Sequence, residues 1–458
     1  MKRLLCDDMG LGKTRMALNL IPLDWGALVI CPVNPKFGWK SEAQQLLPDC
    51  MVTVCKSAKE FRLPVANEIL ICNFEQVNGV VGHQASPDMP FVTIVDEIHK
   101  IKSPTAKRTK NAREILEACR SVGGRTYGLT GTPLPNRTLE FWHIATALDV
   151  HKVAFPKGWQ EFVGLAGLIQ VSYPGTKKDP KTGKMMRTTV QVWEQGYPPK
   201  PEFAERLQRV MIRRERHEVF TQCPPKTFVK RYLPLVGADG TKIKSLFQEL
   251  KGFDEDSAQV KLEDKLVLGV LSEIRNLAAS IRIPQMLNWI EEHEDEYPKA
   301  ITGLYPSPVI VASAHRPPID ALKGRTDWAL ITGDTPPERR EEIAEQFRAG
   351  KLSGIGLTIT AGGTGINLYR TESGEEGAEL YCPGARRMLF VDCDWRPTEM
   401  AQCEDRLRPH LLKESCEYTY LVLDHPIERM VWNAIERKKE VLRASGILKS
   451  QPVVAKEE

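Results

Sequence analysis

Short apolar runs alternate with longer stretches of helical period along the first part of the chain. The runs are Leu4–Cys6, Ala27–Cys31, Met51–Val54, Ile69–Cys72, Phe91–Val95 and Thr126–Leu129. Runs of this length separated by amphipathic segments predict a mainly parallel sheet with helices on both faces. Between Asp149 and Pro201 the alternation stops, and Tyr173–Lys184, rich in Gly, Pro and Lys, reads as a solvated loop. From Gly240 to His293 the period is helical. Strand-like runs then return at Val309–Ala312, Trp328–Ile331, Gly356–Ile359, Met388–Val391 and Tyr418–Leu423, with helices expected at Pro337–Phe347, Thr398–Leu407 and Ile427–Arg443. The pattern therefore predicts two α/β units in one chain. Tyr369–Arg387 reads as an inserted loop or hairpin, and 451–458 as a fraying tail.

Length agrees with that division, because 458 residues suffice for two or three full cores. The formal net charge of +4 permits local nucleic-acid contacts without requiring them. Eleven cysteines, with no paired C-x-x-C spacing, read as reduced thiols and exclude a zinc site. No apolar stretch reaches the length of a membrane span, and Met1–Cys6 is too short for a signal peptide. The expectation is a soluble protein of the cytoplasm, or of the nucleus in a eukaryotic host.

Candidate chemistry begins with Asp7-Asp8-Met9-Gly10-Leu11-Gly12-Lys13-Thr14, which follows the first apolar run. Glycines let backbone N–H groups curl around phosphate oxygens, Lys13 reaches toward terminal phosphates, and the Thr14 hydroxyl suits Mg²⁺. The following helix would add its positive end. Asp7 stands where the strict phosphate-loop pattern has its first Gly. Asp96 and Glu97 end the Phe91–Val95 run. Downstream of a phosphate loop, such a pair divides into a metal-facing carboxylate, Asp96, and a water-orienting base, Glu97. In a parallel sheet, these groups and Thr130-Gly131-Thr132 fall beyond the carboxyl ends of the strands, on one rim.

The order of Asp7–Thr14, Asp96-Glu97-Ile98-His99, Leu129-Thr130-Gly131-Thr132-Pro133, Thr360-Ala361-Gly362-Gly363-Thr364-Gly365-Ile366-Asn367-Leu368, Asp394-Trp395-Arg396-Pro397 and Gln402-Cys403-Glu404-Asp405-Arg406 resembles the motor core of superfamily-two helicases, and within them the Swi/Snf-like DNA translocases. Gln402–Arg406 and Arg282-Ile-Pro284 resemble the annealing-helicase branch. The resemblance implies two RecA-like lobes of the P-loop NTPase class, a DNA-stimulated ATPase, and ATP with Mg²⁺ as cofactors. It implies lobe 1 over residues 1–228, with a shortened helical protrusion at about 149–205. Lobe 2 would span 229–450, with a helical insertion at about 240–300.

The same resemblance implies the site. Asp8, Met9, Gly10, Leu11, Gly12, Lys13, Thr14, Gly363 and Gly365 would bind nucleotide, and Thr14 and Asp96 would hold the metal. Lys13, Asp96, Glu97, Gln402 and the finger Arg406 would be catalytic. The family's further Arg is replaced by Pro409, with Arg408 one residue early. Relatives carry an adenine-packing segment ahead of the loop, where this chain has Met1–Cys6. Lys36, Trp39, Lys100, Lys102, Thr130, Ser313, His315, Arg340, Thr360 and Trp395 would meet the DNA backbone. Trp39 reads equally as core, and Lys100–Arg113 as the wet face of a helix. The expected partners are double-stranded or branched DNA and other replication or repair proteins, and the protein itself is expected to be a monomer. An unwinding helicase on DNA or RNA, and an ATP-binding pseudo-motor, are the alternatives.

Overall fold

The computed structural model describes residues 3–134, 137–178, 185–220, 226–235, 237–249, 265–362, 366, 368, 386–407, 415–447 and 453–457. In the first unit, β1 (Leu4–Leu5), β2 (Gly26–Cys31), β3 (Met51–Val54), β4 (Glu68–Asn73), β5 (Phe91–Asp96) and β6 (Arg125–Leu129) reproduce the predicted runs. A short strand, Met211–Ile212, completes a parallel seven-stranded sheet. All six residues of β2 are buried, as expected of a central strand covered on both faces.

The segment after Asp149 departs from expectation. The stretch around Tyr173 is an antiparallel ribbon, β7 (Leu168–Lys178) with β8 (Met185–Gln195), paired from Leu168↔Gln195 to Lys178↔Met185. Val171, Tyr173, Val190 and Val192 recur at a period of two, a strand signal masked by the Gly, Pro and Lys around them. Residues 179–184 lie outside the described residues. The expected helical protrusion therefore combines this ribbon with short helices at His151–Ala154, Trp159–Ala166 and Pro201–Gln208. Trp142, Phe155, Trp159, Phe162 and Phe203 pack ring against ring beneath it.

Call the Met211–Ile212 strand β9. The second unit then contains β10 (Lys226–Leu233), β11 (Val309–Ser313), β12 (Trp328–Ile331), β13 (Gly354–Thr358), β14 (Arg387–Phe390), β15 (Glu417–Leu423) and β16 (Val453–Glu457). Their order is β12-β13-β11-β14-β15-β10-β16, all parallel. The tail expected to fray is instead an edge strand on β10, because β10 offers it a free row of backbone donors and acceptors. Helices at Gly237–Glu249, Lys265–Ile281 and Ile283–Glu296 fill the expected helical stretch. By compactness, one unit comprises Met1–Arg216 with Lys438–Ser450, and the other His217–Arg437 with Gln451–Glu458. The chain thus returns to the first unit near its end. Among the described residues, no helix is long and apolar enough to cross a membrane.

Candidate functional site

β1, β6 and β5 are parallel neighbours, with Leu5 opposite Leu129 and Asp96 opposite Leu129. Their carboxyl ends therefore deliver the loop 6–12, the Thr130–Thr132 turn and the Asp96-Glu97 pair to one edge of the sheet. Gly10 and Gly12 have φ of 83° and 75°, a left-handed turn that strains any residue with a Cβ. The helix that follows, Lys13–Leu18, is a bare six residues, so the loop amides and Lys13 carry most of the attraction for an anion.

Lys13 donates to the carbonyls of Asp7 (2.7 Å) and Asp8 (3.0 Å). Burial lowers its pKa, against the opposing pull of Glu97, Asp96, Asp8 and Asp7. The amine is thus held at the loop mouth, poor in water and ready for a negative partner. A Cβ built on Gly131 would stand 3.8 Å from it, so the Thr130–Thr132 turn approaches the loop where a bare backbone leaves room.

The Asp7 departure from the phosphate-loop pattern has a structural cause. Its carboxylate is fully buried. It accepts from the Arg214 amide (2.7 Å) and from both Nε and Nη2 of the Arg214 side chain. Asp8 accepts from Arg213 (3.2 Å) and from the Arg216 amide (3.1 Å), and Arg216 donates to the Met9 carbonyl (2.7 Å). Arg213, Arg214 and Arg216 follow β9 and hold the loop from beneath. The sequence patterns above gave these arginines no part in the loop. The signal available was charge balance: two adjacent acids at the loop and three arginines at one distant place.

Asp96 ends β5. Its Oδ2 accepts from the Trp39 indole N–H (2.9 Å), and its Oδ1 from the Glu97 amide (2.9 Å). Burial raises its pKa, and the adjacent Glu97 adds to the rise. Glu97 has φ 49°, a strained conformation for a side chain of this size, which turns the backbone off the strand. Burial pushes its carboxyl up, but His99, both by charge and by hydrogen bond, with Lys13 and Lys100, outweighs this and holds it well down. His99 Nδ1 lies 3.1 Å from Glu97 Oε2 and 3.0 Å from Thr130 Oγ1, and Thr130 also accepts from the Thr132 amide (3.0 Å). The two adjacent carboxylates therefore have different environments, as a division of labour requires. Thr14 stands on the first helical turn. Its hydroxyl and the Asp96 carboxylate are hard oxygen donors of the kind Mg²⁺ takes, and each Asp96 oxygen keeps a lone pair beyond its one hydrogen bond.

Several residues expected at DNA are occupied otherwise. Lys36 is buried and donates to the Cys55 carbonyl (2.9 Å) and Gln76 Oε1 (2.8 Å). Trp39 is core, and its one polar atom serves Asp96. Thr130 is buried within the Glu97–His99 network. Ser313 is fully buried and donates to Asp392 (2.6 Å), whose other oxygen pairs with His315 Nδ1. Arg340 closes its own turn on the carbonyls of Thr335 (2.8 Å) and Thr332 (3.0 Å). In this structure each of these five side chains makes hydrogen bonds within the protein. Lys100 and Lys102 are partly exposed, Lys102 beside Glu140 (2.8 Å). Thr360 is exposed. Trp395 lies under the Arg275 guanidinium, 4.8 Å from its ring centre.

Gln402 and Arg406 belong to the second unit. The helix Pro397–Glu404 tightens into a turn at Asp405–Leu407, and both side chains are buried. Arg406 donates to the carbonyls of Gln402 (3.2 Å) and Ile366. It therefore ties its helix to Ile366. Gly363, Gly365, Arg408, Pro409 and most of the Tyr369–Arg387 insertion lie outside the described residues.

The family model described as "SNF2-related domain" matches residues 2–278. A Caenorhabditis elegans protein named "SWI/SNF-related matrix-associated actin-dependent regulator of chromatin subfamily A-like protein 1 homolog" is 25% identical over 96% of this chain and 58% of its own length. The human "DNA annealing helicase and endonuclease ZRANB3" is 22% identical over 96% of this chain and 38% of its own. An "Uncharacterized ATP-dependent helicase" of Mycoplasma pneumoniae is 22% identical over 96% of this chain and 40% of its own. The solved "Sulfolobus solfataricus SWI2/SNF2 ATPase core in complex with dsDNA" is 17% identical, with 97% of this chain and 89% of that one covered and a TM-score of 0.36. This chain spans about two fifths to three fifths of the length of these curated relatives. A match over more than half of the sequence, on a chain whose loop, carboxylate pair and Thr130–Thr132 turn meet at one sheet edge, places the chain in the SNF2-related domain family.

Proposed function

We propose that this chain is an ATP- and Mg²⁺-dependent motor that translocates on double-stranded DNA. One observation carries the reading: Lys13, Asp96, Glu97, His99 and Thr130 gather at the carboxyl edge of β1, β5 and β6 in two distinct electrostatic environments. The loop amides and Lys13 bind the phosphates. Thr14 and Asp96 would hold Mg²⁺, which when bound would neutralise phosphate charge. Glu97, kept ionised by His99, orients the attacking water, and Thr130 joins that base to the Thr130–Thr132 turn. By the family resemblance, Gln402 and Arg406 are the catalytic side chains that the second unit contributes to hydrolysis.

Two of the curated relatives are named for DNA annealing or chromatin work. The substrate follows from that likeness: a duplex or branched DNA gripped through its backbone by Lys100, Lys102, His315, Thr360 and Trp395, without base reading. The output is remodelling of forks, branches or protein–DNA complexes. The decisive experiment is the ATPase rate with no nucleic acid, single strand, duplex, fork and RNA. Stimulation by duplex or fork above the others is expected. Preferential stimulation by RNA, or none by any, overturns the reading. A second reading, a DNA-binding pseudo-motor, is favoured by the inward pose of Arg406, and parental turnover equal to that of Glu97→Gln would establish it.

A further inference from the structure

Arg213 is nearly buried, with a side-chain exposure of 11%, and every arm of its guanidinium is used. Nη1 donates to the carbonyls of Cys6 (2.7 Å) and Gly131 (3.1 Å). Nη2 donates to Asp8 Oδ1 (3.2 Å). Nε donates to the carbonyl of Ile447 (2.6 Å). Three acceptors belong to the phosphate loop and the neighbouring turn. The fourth comes from far along the sequence, where the chain has returned to the first unit.

That return is built to dock. The helix Pro426–Ala444 ends in a turn in which the amides of Gly446 and Ile447 donate to Arg443 and Leu442 (2.9 Å each). Gly446 has φ 66°, and a Cβ there would stand 3.0 Å from Ala204 Cβ. Ser445 is fully buried, and Ile447 joins the same apolar cluster as Leu207, Val210 and Met211. The Ile447 carbonyl is thereby aimed at Arg213, one residue beyond β9 and therefore beside β1.

We propose that Arg213 is a positioning residue for the phosphate loop and that its bond to Ile447 makes loop geometry depend on docking of the Ser445–Ile447 turn. A planar, five-donor fork can serve four acceptors at fixed angles. When the turn leaves, one donor loses its partner and the fork is free to rotate. The Cys6, Asp8 and Gly131 bonds then lose their common geometry, and the loop amides lose the curl that fits phosphate. The C-terminal return of the chain thus regulates nucleotide affinity from outside the pocket.

The nucleotide part of this inference rests on the proposed ATP reading, and the test separates the two. In the full chain, Gly446→Val disturbs the turn and Arg213→Ala removes the fork, neither substituting a residue of the loop itself. Amide hydrogen exchange of residues 8–13 is measured without nucleotide, and affinity is measured with a fluorescent ATP analogue and Mg²⁺. Both variants are expected to speed loop exchange and weaken affinity roughly 10- to 100-fold, the range of one or two hydrogen bonds to a charged group. KM for ATP should rise more than kcat falls, and Arg213→Lys should recover part of the loss. The combined variant should be no weaker than Arg213→Ala alone, because the turn acts through Arg213. If Gly446→Val does not fold, Ile447→Ala provides the milder undocking. Parental loop exchange in the undocked variant, or losses that multiply in the combined one, overturn the proposal. A parent that binds no ATP sinks the nucleotide reading alone, since loop exchange still decides the brace.

Discussion

Asp7→Gly would bring the loop to the strict phosphate-loop pattern, yet it should destabilise the protein. The Asp7 carboxylate is fully buried, and its loss strands the Arg214 amide, now 2.7 Å from Asp7 Oδ1. It also removes a charge-assisted contact to the Arg214 side chain, which is itself 49% exposed. The amide contributes about 1 kcal/mol, and the contact to a charged group about 1.5–3 kcal/mol. Half-exposure lets Arg214 return to water, so the lower part of that range applies. A total near 3 kcal/mol is expected, which for a unit of this size lowers the midpoint by about 6–12 °C. Arg214→Ala should be at least as damaging, because it leaves a buried carboxylate without its cation. Thermal unfolding followed by circular dichroism and calorimetry, with saturating and with no ATP, is the assay. A glycine variant as stable as the parent would refute this account of Asp7.

Trp39→Phe keeps most of the packing but removes the indole donor to Asp96. Turnover should fall roughly 10-fold with a higher Mg²⁺ requirement, the size of effect expected of an outer-shell partner, and an unchanged Mg²⁺ titration would reject the role. Glu97→Gln should retain ATP and lose turnover, checked by analogue binding beside steady-state rates. Arg406→Ala should cost about 10³-fold in DNA-stimulated turnover and also lower thermal stability, because it strands the Ile366 carbonyl; a stable variant with parental turnover would contradict both roles. Burial pushes the Glu68 carboxyl up, but hydrogen bonds from Arg62, Thr53 and the Val65 amide outweigh it and hold it low. Its folded value then lies below the unfolded one, so its contribution is present above the ordinary carboxylate range and fades as pH falls through the folded value. Stability against pH should be flatter in the acid range for Glu68→Gln, and identical slopes would exclude the linkage.

The sequence by itself determined what depends on near neighbours. Apolar runs such as Ala27–Cys31 and Val309–Ala312 became strands because a covered parallel sheet needs unbroken apolar segments. The glycines at 10 and 12 announced a left-handed turn because their backbone freedom is intrinsic, and Asp96-Glu97 announced the end of a strand. Strands with weak local signals were decided by tertiary pairing: β9, β10 and β16 form because an open sheet edge is there to meet them. The same holds for side chains. Lys36, Trp39 and Thr130 carry groups that suit DNA, but here each is buried with internal hydrogen-bond partners, and an unpaired polar atom there would be costly. Asp7 and Arg214 are separated by most of the first unit in sequence, so their pairing was invisible until β9 lay beside β1. Local chemistry wrote the loop, and long-range contact decided how it is held.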